Sequence, residues 1–232
     1  MYPQSLLNDL LHFGSIVLLA LGAVLPIVDP LGGAPIFLSM TTDLSSAERG
    51  RLAWKVAINS FVLLIASTLI GAYVLDFFGV SIPAVQVAGG AVVFMLGWSL
   101  LHSTDTPHSL DHSRELPPTR PDPNASAFYP LTMPLTVGPG SLSIALTLGA
   151  NPPQGLRPLL LTTIAHAVGM LLVCILVYLC YRYADRLATK LGTTGTSVVL
   201  RLTAFIMLCI GVQIAWNGIH ALITSGFPTL AR

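Results

Sequence analysis

Asp29 is the one acidic residue inside an otherwise apolar run, and it stands between two prolines, Pro26 and Pro30. An acid in such a run is rare, and function is the first explanation to try. Its carboxylate could pair with a substrate ammonium group or carry a coupled proton. It could also simply cap a helix start, since Asp is a good N-cap and Pro a good first-turn residue. Gly32 and Gly33 follow, small enough for close approach of a ligand to the backbone, and then Pro35. A second stretch repeats the plan: Pro134, Thr136, Gly138, Pro139, Gly140 and Ser141. A helix that restarts after such a break aims amide N–H groups and a positive dipole end forward, which is an anion site. Chemistry of this kind suits the carboxylate of a small zwitterion, with Asp29 and Thr136 facing its ammonium end.

Other polar residues within apolar runs are fewer. Asn59 and His166 could form a polar relay, or could be hydrogen-bonded glue between helices. Cys174, Cys180 and Cys209 sit in apolar runs and read as packed thiols, with no disulfide framework. No zinc-binding His pair, phosphate loop, nucleophile–base set or second carboxylate beside Asp29 is present. The expectation is therefore a protein that is not an enzyme and holds no metal or cofactor.

The elements that position these residues follow from composition. Of 232 residues, 53% are apolar and 9% charged, with mean hydropathy +0.77. A water-soluble domain carries about 25% charged residues, so the partner of this surface is a lipid bilayer. The net charge of +1 argues against nucleic acid as a partner. Apolar runs predict six membrane spans: 15–40, 56–75, 85–101, 128–148, 159–181 and 198–223. The first and fourth contain the two breaks. Proline inside a helix removes a donor, and in lipid a broken backbone is tolerated only where protein or a wet cavity satisfies it. Two breaks at similar depth predict a polar site near the midplane.

Six spans put both termini on one side. Arg49, Arg51, Lys55, Arg114, Arg120, Arg182, Arg186, Lys190 and Arg201 fall on one face, and Arg157 and Arg232 on the other. Positive charge stays inside. The basic loops are thus expected in the cytoplasm and both termini in the periplasm. Met1 to Leu11 lacks Lys and Arg, so the first apolar segment is expected to remain rather than be cleaved. Residues 103–127, rich in Pro, His and Asp, read as a cytoplasmic linker between a three-helix unit at 1–102 and another at 128–232. Gln86, Gln213, Asn217 and the three tryptophans read as facing the membrane interfaces.

The two units look alike. The breaks correspond, and Phe94–Gly97 aligns with Leu208–Gly211. Three is an odd number, so the second copy enters the membrane from the opposite side. The predicted fold is an all-α membrane protein of six helices in two inverted-topology repeats, a common plan of secondary transporters.

Four segments carry a family resemblance. They are Pro26 to Leu38, with its PIVDPLGGAPIFL run, Pro130 to Pro134 with Gly138-Pro139-Gly140, Gly79 to Gly90, and Gly211 to Ile219. In order and over nearly the whole chain they resemble the MarC family of bacterial membrane proteins, which includes the SnatA amino-acid transporters. The resemblance implies a six-span bacterial inner-membrane protein. It also implies transport of small neutral amino acids such as glycine and alanine, driven by a proton or sodium gradient. In that family an asparagine often stands where this chain has Asp29. The sequence reading is thus a secondary transporter with alternating access at a midplane site. The alternative is a channel-like facilitator, or an exporter of another small solute.

Overall fold

A computed structural model describes residues 3–102, 127–150 and 153–226. Most of the expected linker, with Arg114 and Arg120, lies outside them, as do Tyr2 and Arg232. The described residues form helices and connecting turns. These are α1 (Pro3–Val28), α2 (Pro30–Ser39), α3 (Ser46–Phe77), α4 (Ile82–His102), a wide irregular turn segment α5 (Ala127–Thr136), α6 (Pro139–Gly149), α7 (Leu156–Arg182) and α8 (Ala184–Gly226). Among the described residues five helices are long and apolar enough to cross a membrane, and six if α5 and α6 count as one bent span. Most begin before the apolar core the sequence marked, and a polar cap accounts for this in α3. Thus α3 begins at a capping box in which Glu48 N–H donates to Ser45 Oγ at 3.3 Å and Ser45 N–H to Glu48 Oε2 at 3.0 Å. At the other extreme, α8 is interrupted at Gly192, whose φ of 64° separates a short leading helix from the span at Thr194–Thr224.

The two breaks differ in severity. In the first span a single residue departs from helix: Asp29, with φ 44° and ψ 68°. Its N–H still donates to Leu25 O at 3.0 Å and its C=O still accepts from Gly33 N–H at 2.9 Å. The helix therefore continues nearly in line, and 8–39 reads through as one span. In the second, Pro130 and Pro134 remove two donors one helical turn apart. Tyr129 (φ −123°, ψ 125°) and Met133 (φ −119°, ψ 121°) are extended, as residues before proline tend to be. Threonine hydroxyls fill in: Thr132 donates to Ala127 O and Thr136 to Leu131 O, each at 2.7 Å. The chain then turns by 73° into α6. The likeness read between the two stretches holds for the restart, with proline first in α2 and in α6, but not for the bend.

Sequence-related elements exchange partners in the packing. α1 lies against α7 and α3 against α5 and α6; α2 lies against α8 and α4 against α6; α3 meets α7, and α4 meets α8. The α4–α8 contact is antiparallel and symmetric. A Cβ placed on Gly90 would stand 2.5 Å from Ala215 N, and one on Gly211 would stand 2.5 Å from Phe94 N. Likewise Gly97 faces Ala204 O at 2.8 Å and Gly218 faces Pro83 O at 2.6 Å. Backbones approach this closely only where side chains are absent. The equivalence is thus Gly90 with Gly211 and Gly97 with Gly218. This corrects the register read from sequence, which matched Gly97 to Gly211. Glycines recur seven residues apart on both helices, so a slip of seven still pairs one glycine with another, and packing shows the register that pairs both.

Candidate functional site

Both breaks meet in space. Gly140, in the first turn of α6, packs on the end of α1: a Cβ there would run into Val93 and lie 3.4 Å from the Ile27 side chain. On the other side of the break, Thr136 approaches α2 through Tyr181. The Tyr181 hydroxyl lies 3.0 Å from Thr136 Oγ1, and its ring stacks on Phe37 with centroids 4.5 Å apart and planes at 14°. The same hydroxyl would be 2.6 Å from a Cβ on Gly33, so only glycine leaves room for it. Two segments separated by about a hundred residues are therefore gathered at one place.

Asp29 sits half-buried there. Its Oδ1 accepts from Gly32 N–H at 3.0 Å. A Cβ on Gly32 would collide with that carboxylate. Asp29 tolerates the left-handed conformation better than most residues and supplies the cap that restarts the helix. Thr203 of α8 is within hydrogen-bonding reach of the carboxyl, and Cys180 and Tyr181 of α7 are within its electrostatic reach. The carboxylate thus lies near both α7 and α8.

The half-helix starts are unequal as anion sites. The amides of Gly32 and Gly33 are used by Asp29 itself, and Pro30 has none. In α6, Gly138 offers no side-chain cap, and Leu142 N–H and the Ser141 hydroxyl both turn back to its carbonyl, at 3.1 and 2.9 Å. Among the described residues no acceptor takes the amides of Gly140 and Ser141. The α6 start therefore keeps the donors an anion needs, and the α2 start contributes the carboxylate.

Other expected site residues have different surroundings. Thr136 is buried and its one proton already goes to Leu131 O. Its hydroxyl faces protein, not open space. Pro26 lies inside α1 and Pro35 inside α2, within continuous helix, whereas Pro134 lies in the bend. His166 is buried on α7, fifteen residues before Tyr181 or about 22 Å along the helix, and so stands away from the breaks. Asn59 is half-buried on α3 beside Ser60, a buried residue whose hydroxyl has no partner. Gln86 is tied to the other half, its Nε2 donating to Thr147 Oγ1 of α6 at 3.2 Å. A shallow apolar hollow of about 390 Å³ lies where α4 meets Pro139 of α6, lined by Val85 and Gly89, and is not lined by Asp29, Thr136 or Ser141.

Tyr181 and Thr203 were not legible as site residues. A tyrosine ending a span ordinarily sets its hydroxyl among headgroups. This one is fully buried, and only the positions of Gly33 and Phe37 across the interface reveal its slot.

Comparison with known proteins agrees with this architecture. The sequence profile described as "MarC family integral membrane protein" matches residues 14–223. The chain is 31% identical over 217 residues to the UPF0056 inner membrane protein MarC of Escherichia coli strain UTI89, covering 88% of this chain and 94% of that protein. It is 29% identical over 211 residues to the protein of the same name from Salmonella typhimurium, with the same coverage. No solved structure matches the chain.

Proposed function

The chain belongs to the MarC family of integral membrane proteins, and we propose that it is a secondary transporter of small neutral amino acids, glycine- or alanine-like, in a bacterial inner membrane. In this reading it is a carrier and not a catalyst. The observation that carries it is the convergence of the two interrupted spans on one acid. The Gly140 and Ser141 amides take the substrate carboxylate, and Asp29 takes its ammonium group. Gly32, Gly33 and Ser141 are small and buried, and the room over the two glycines is taken by Asp29 and Tyr181, so that only a short substrate side chain suits the site. A zwitterion held this way satisfies both charged ends, which is the condition for taking it out of water.

Alternating access follows from the symmetry. Residues 1–102 and 128–232 form two inverted repeats, joined by the linker at 103–127. The close antiparallel contact of α4 with α8 is the rigid seam, and the halves rock about the site. The six basic residues Arg49, Arg51, Lys55, Arg182, Arg186 and Lys190 gather at one end of the molecule, where α3 begins, α7 ends and α8 begins. That end faces the cytoplasm, and both termini face the periplasm. A proton or sodium gradient drives the cycle.

The test is uptake of labelled glycine or alanine into proteoliposomes under an imposed pH or sodium gradient. Accumulation that collapses with the gradient is expected for a coupled carrier. Equal uptake by loaded and protein-free vesicles would remove the assignment.

A further inference from the structure

Two contacts toward the basic end join opposite halves of the chain, the inner one bordering the converged breaks. The first is Tyr181 of α7, fully buried, stacked on Phe37 and bonded to Thr136. It lies between the converged breaks and the basic end. The second, one layer further out, is an ion pair between Arg49 of α3 and Asp185 of α8. The Arg49 side chain is 7% exposed and also donates to Thr41 O at 3.0 Å and Leu44 O at 3.2 Å. Its Nε has no partner. Arg182, the last residue of α7, lies over Gly50 beside it, so that a Cβ there would meet the guanidinium.

The other end is tied differently. Arg157 and Asp9 also join opposite halves, but at 3.5 Å and with Arg157 81% exposed. Among the described residues the other cross-half bonds toward that end are neutral: Gln86 to Thr147 and Ser143 Oγ to Val85 O, each at 3.2 Å, and Thr68 Oγ1 to Met170 Sδ at 3.7 Å. An exposed pair contributes little, whereas a buried arginine that loses its acid is costly until water reaches it. One end is closed by a buried aromatic and by an ion pair whose arginine is buried while its aspartate is 49% exposed; the other is held by weak bonds.

We propose that Tyr181 with Phe37, and Arg49 with Asp185, are the inner and outer layers of a gate that closes the site toward the basic end. This inference rests on the reading that the converged breaks form the site. Gly33 is the seat for the gate's hydroxyl, and Thr136 is its catch rather than a substrate ligand. Opening to that side parts Tyr181, held in place by Thr136 of its own half, from Phe37 and Gly33 of the other, and hydrates Arg49, so that the cost of separating it from Asp185 falls as water enters. Both layers must part, because each alone joins the two halves.

The experiment is amide hydrogen exchange on the full chain in lipid nanodiscs, comparing native protein with Tyr181→Phe, Asp185→Asn and the double variant. Both substitutions keep shape and volume. In each single variant, exchange across 29–37 and 131–142 is expected to quicken about fivefold, the effect of losing one net hydrogen bond. The double variant quickens it further. Segments 83–97 and 204–218, in the α4–α8 seam, should not change. Unchanged exchange in 29–37 and 131–142 would overturn the gate, as would equal acceleration of the seam. Acceleration by only one of the two substitutions would overturn the two-layer arrangement. The readout needs no transported solute, so a failure of amino-acid transport and a failure of the gate are separable.

Discussion

The contact between Tyr181 and Thr136 allows a worked prediction. Thr136 has one proton, and it goes to Leu131 O at 2.7 Å. The 3.0 Å contact between the two hydroxyls is therefore donated by Tyr181. Tyr181→Phe removes one interhelical bond and leaves Thr136 otherwise satisfied, at a cost of about 0.6 kcal/mol, the average for such bonds in membrane proteins, and at most about 1.7 kcal/mol. Thr136→Val does more: it bares the Leu131 carbonyl and strands the Tyr181 hydroxyl in a buried slot. Its expected cost is about 1–3 kcal/mol. The double variant strands no hydroxyl, so its cost falls below the sum of the singles by about 0.5–1.5 kcal/mol. The assay is the free energy of reversible unfolding in mixed micelles titrated with dodecyl sulfate, read by near-ultraviolet dichroism. Strict additivity of the two substitutions would refute the donor assignment and the slot with it.

Three further outcomes follow. Gly90→Ala and Gly211→Ala should each destabilise by about 1–3 kcal/mol, because the new methyl meets backbone at 2.5 Å, whereas Gly14→Ala, with nothing within 4 Å, should be neutral in the same titration. Arg157→Ala should change unfolding free energy by less than about 0.5 kcal/mol, since the pair with Asp9 is exposed, while Arg49→Ala should cost several times more. Asp29→Asn keeps the cap to Gly32 N–H and should unfold like the native protein, whereas Asp29→Ala loses the cap and places alanine at φ 44°, costing about 1–2 kcal/mol or more.

Much of this architecture is written in composition. Long apolar runs define the spans because lipid rewards them, and Pro26–Pro30 and Pro134–Pro139 mark the interruptions because proline cannot donate. The severity of each break is not written there. Asp29 repairs the first by capping Gly32 and keeping its own backbone bonds, while in the second Tyr129 and Met133 are both extended and the chain turns by 73°. The glycines of α4 and α8 announce close packing but not its register, since a seven-residue repeat fits two ways. Arg49 reads as a loop charge, yet the fold buries it against Asp185, far along the chain. Tyr181 was hidden for the same reason: its partners Gly33, Phe37 and Thr136 lie on other segments, and no local pattern connects them.

The central claim is a carrier site where the two interrupted spans meet, and counterflow tests it most directly. Proteoliposomes holding unlabelled alanine would be offered labelled alanine outside, with native protein, Asp29→Asn, Gly33→Ala and protein-free vesicles compared. Gly33→Ala drives a methyl toward the Tyr181 hydroxyl, 2.6 Å away. Transient accumulation of label by the native protein, weakened by both substitutions, is the predicted result. Native protein indistinguishable from empty vesicles would contradict the amino-acid carrier, and counterflow undiminished in both variants would contradict the site.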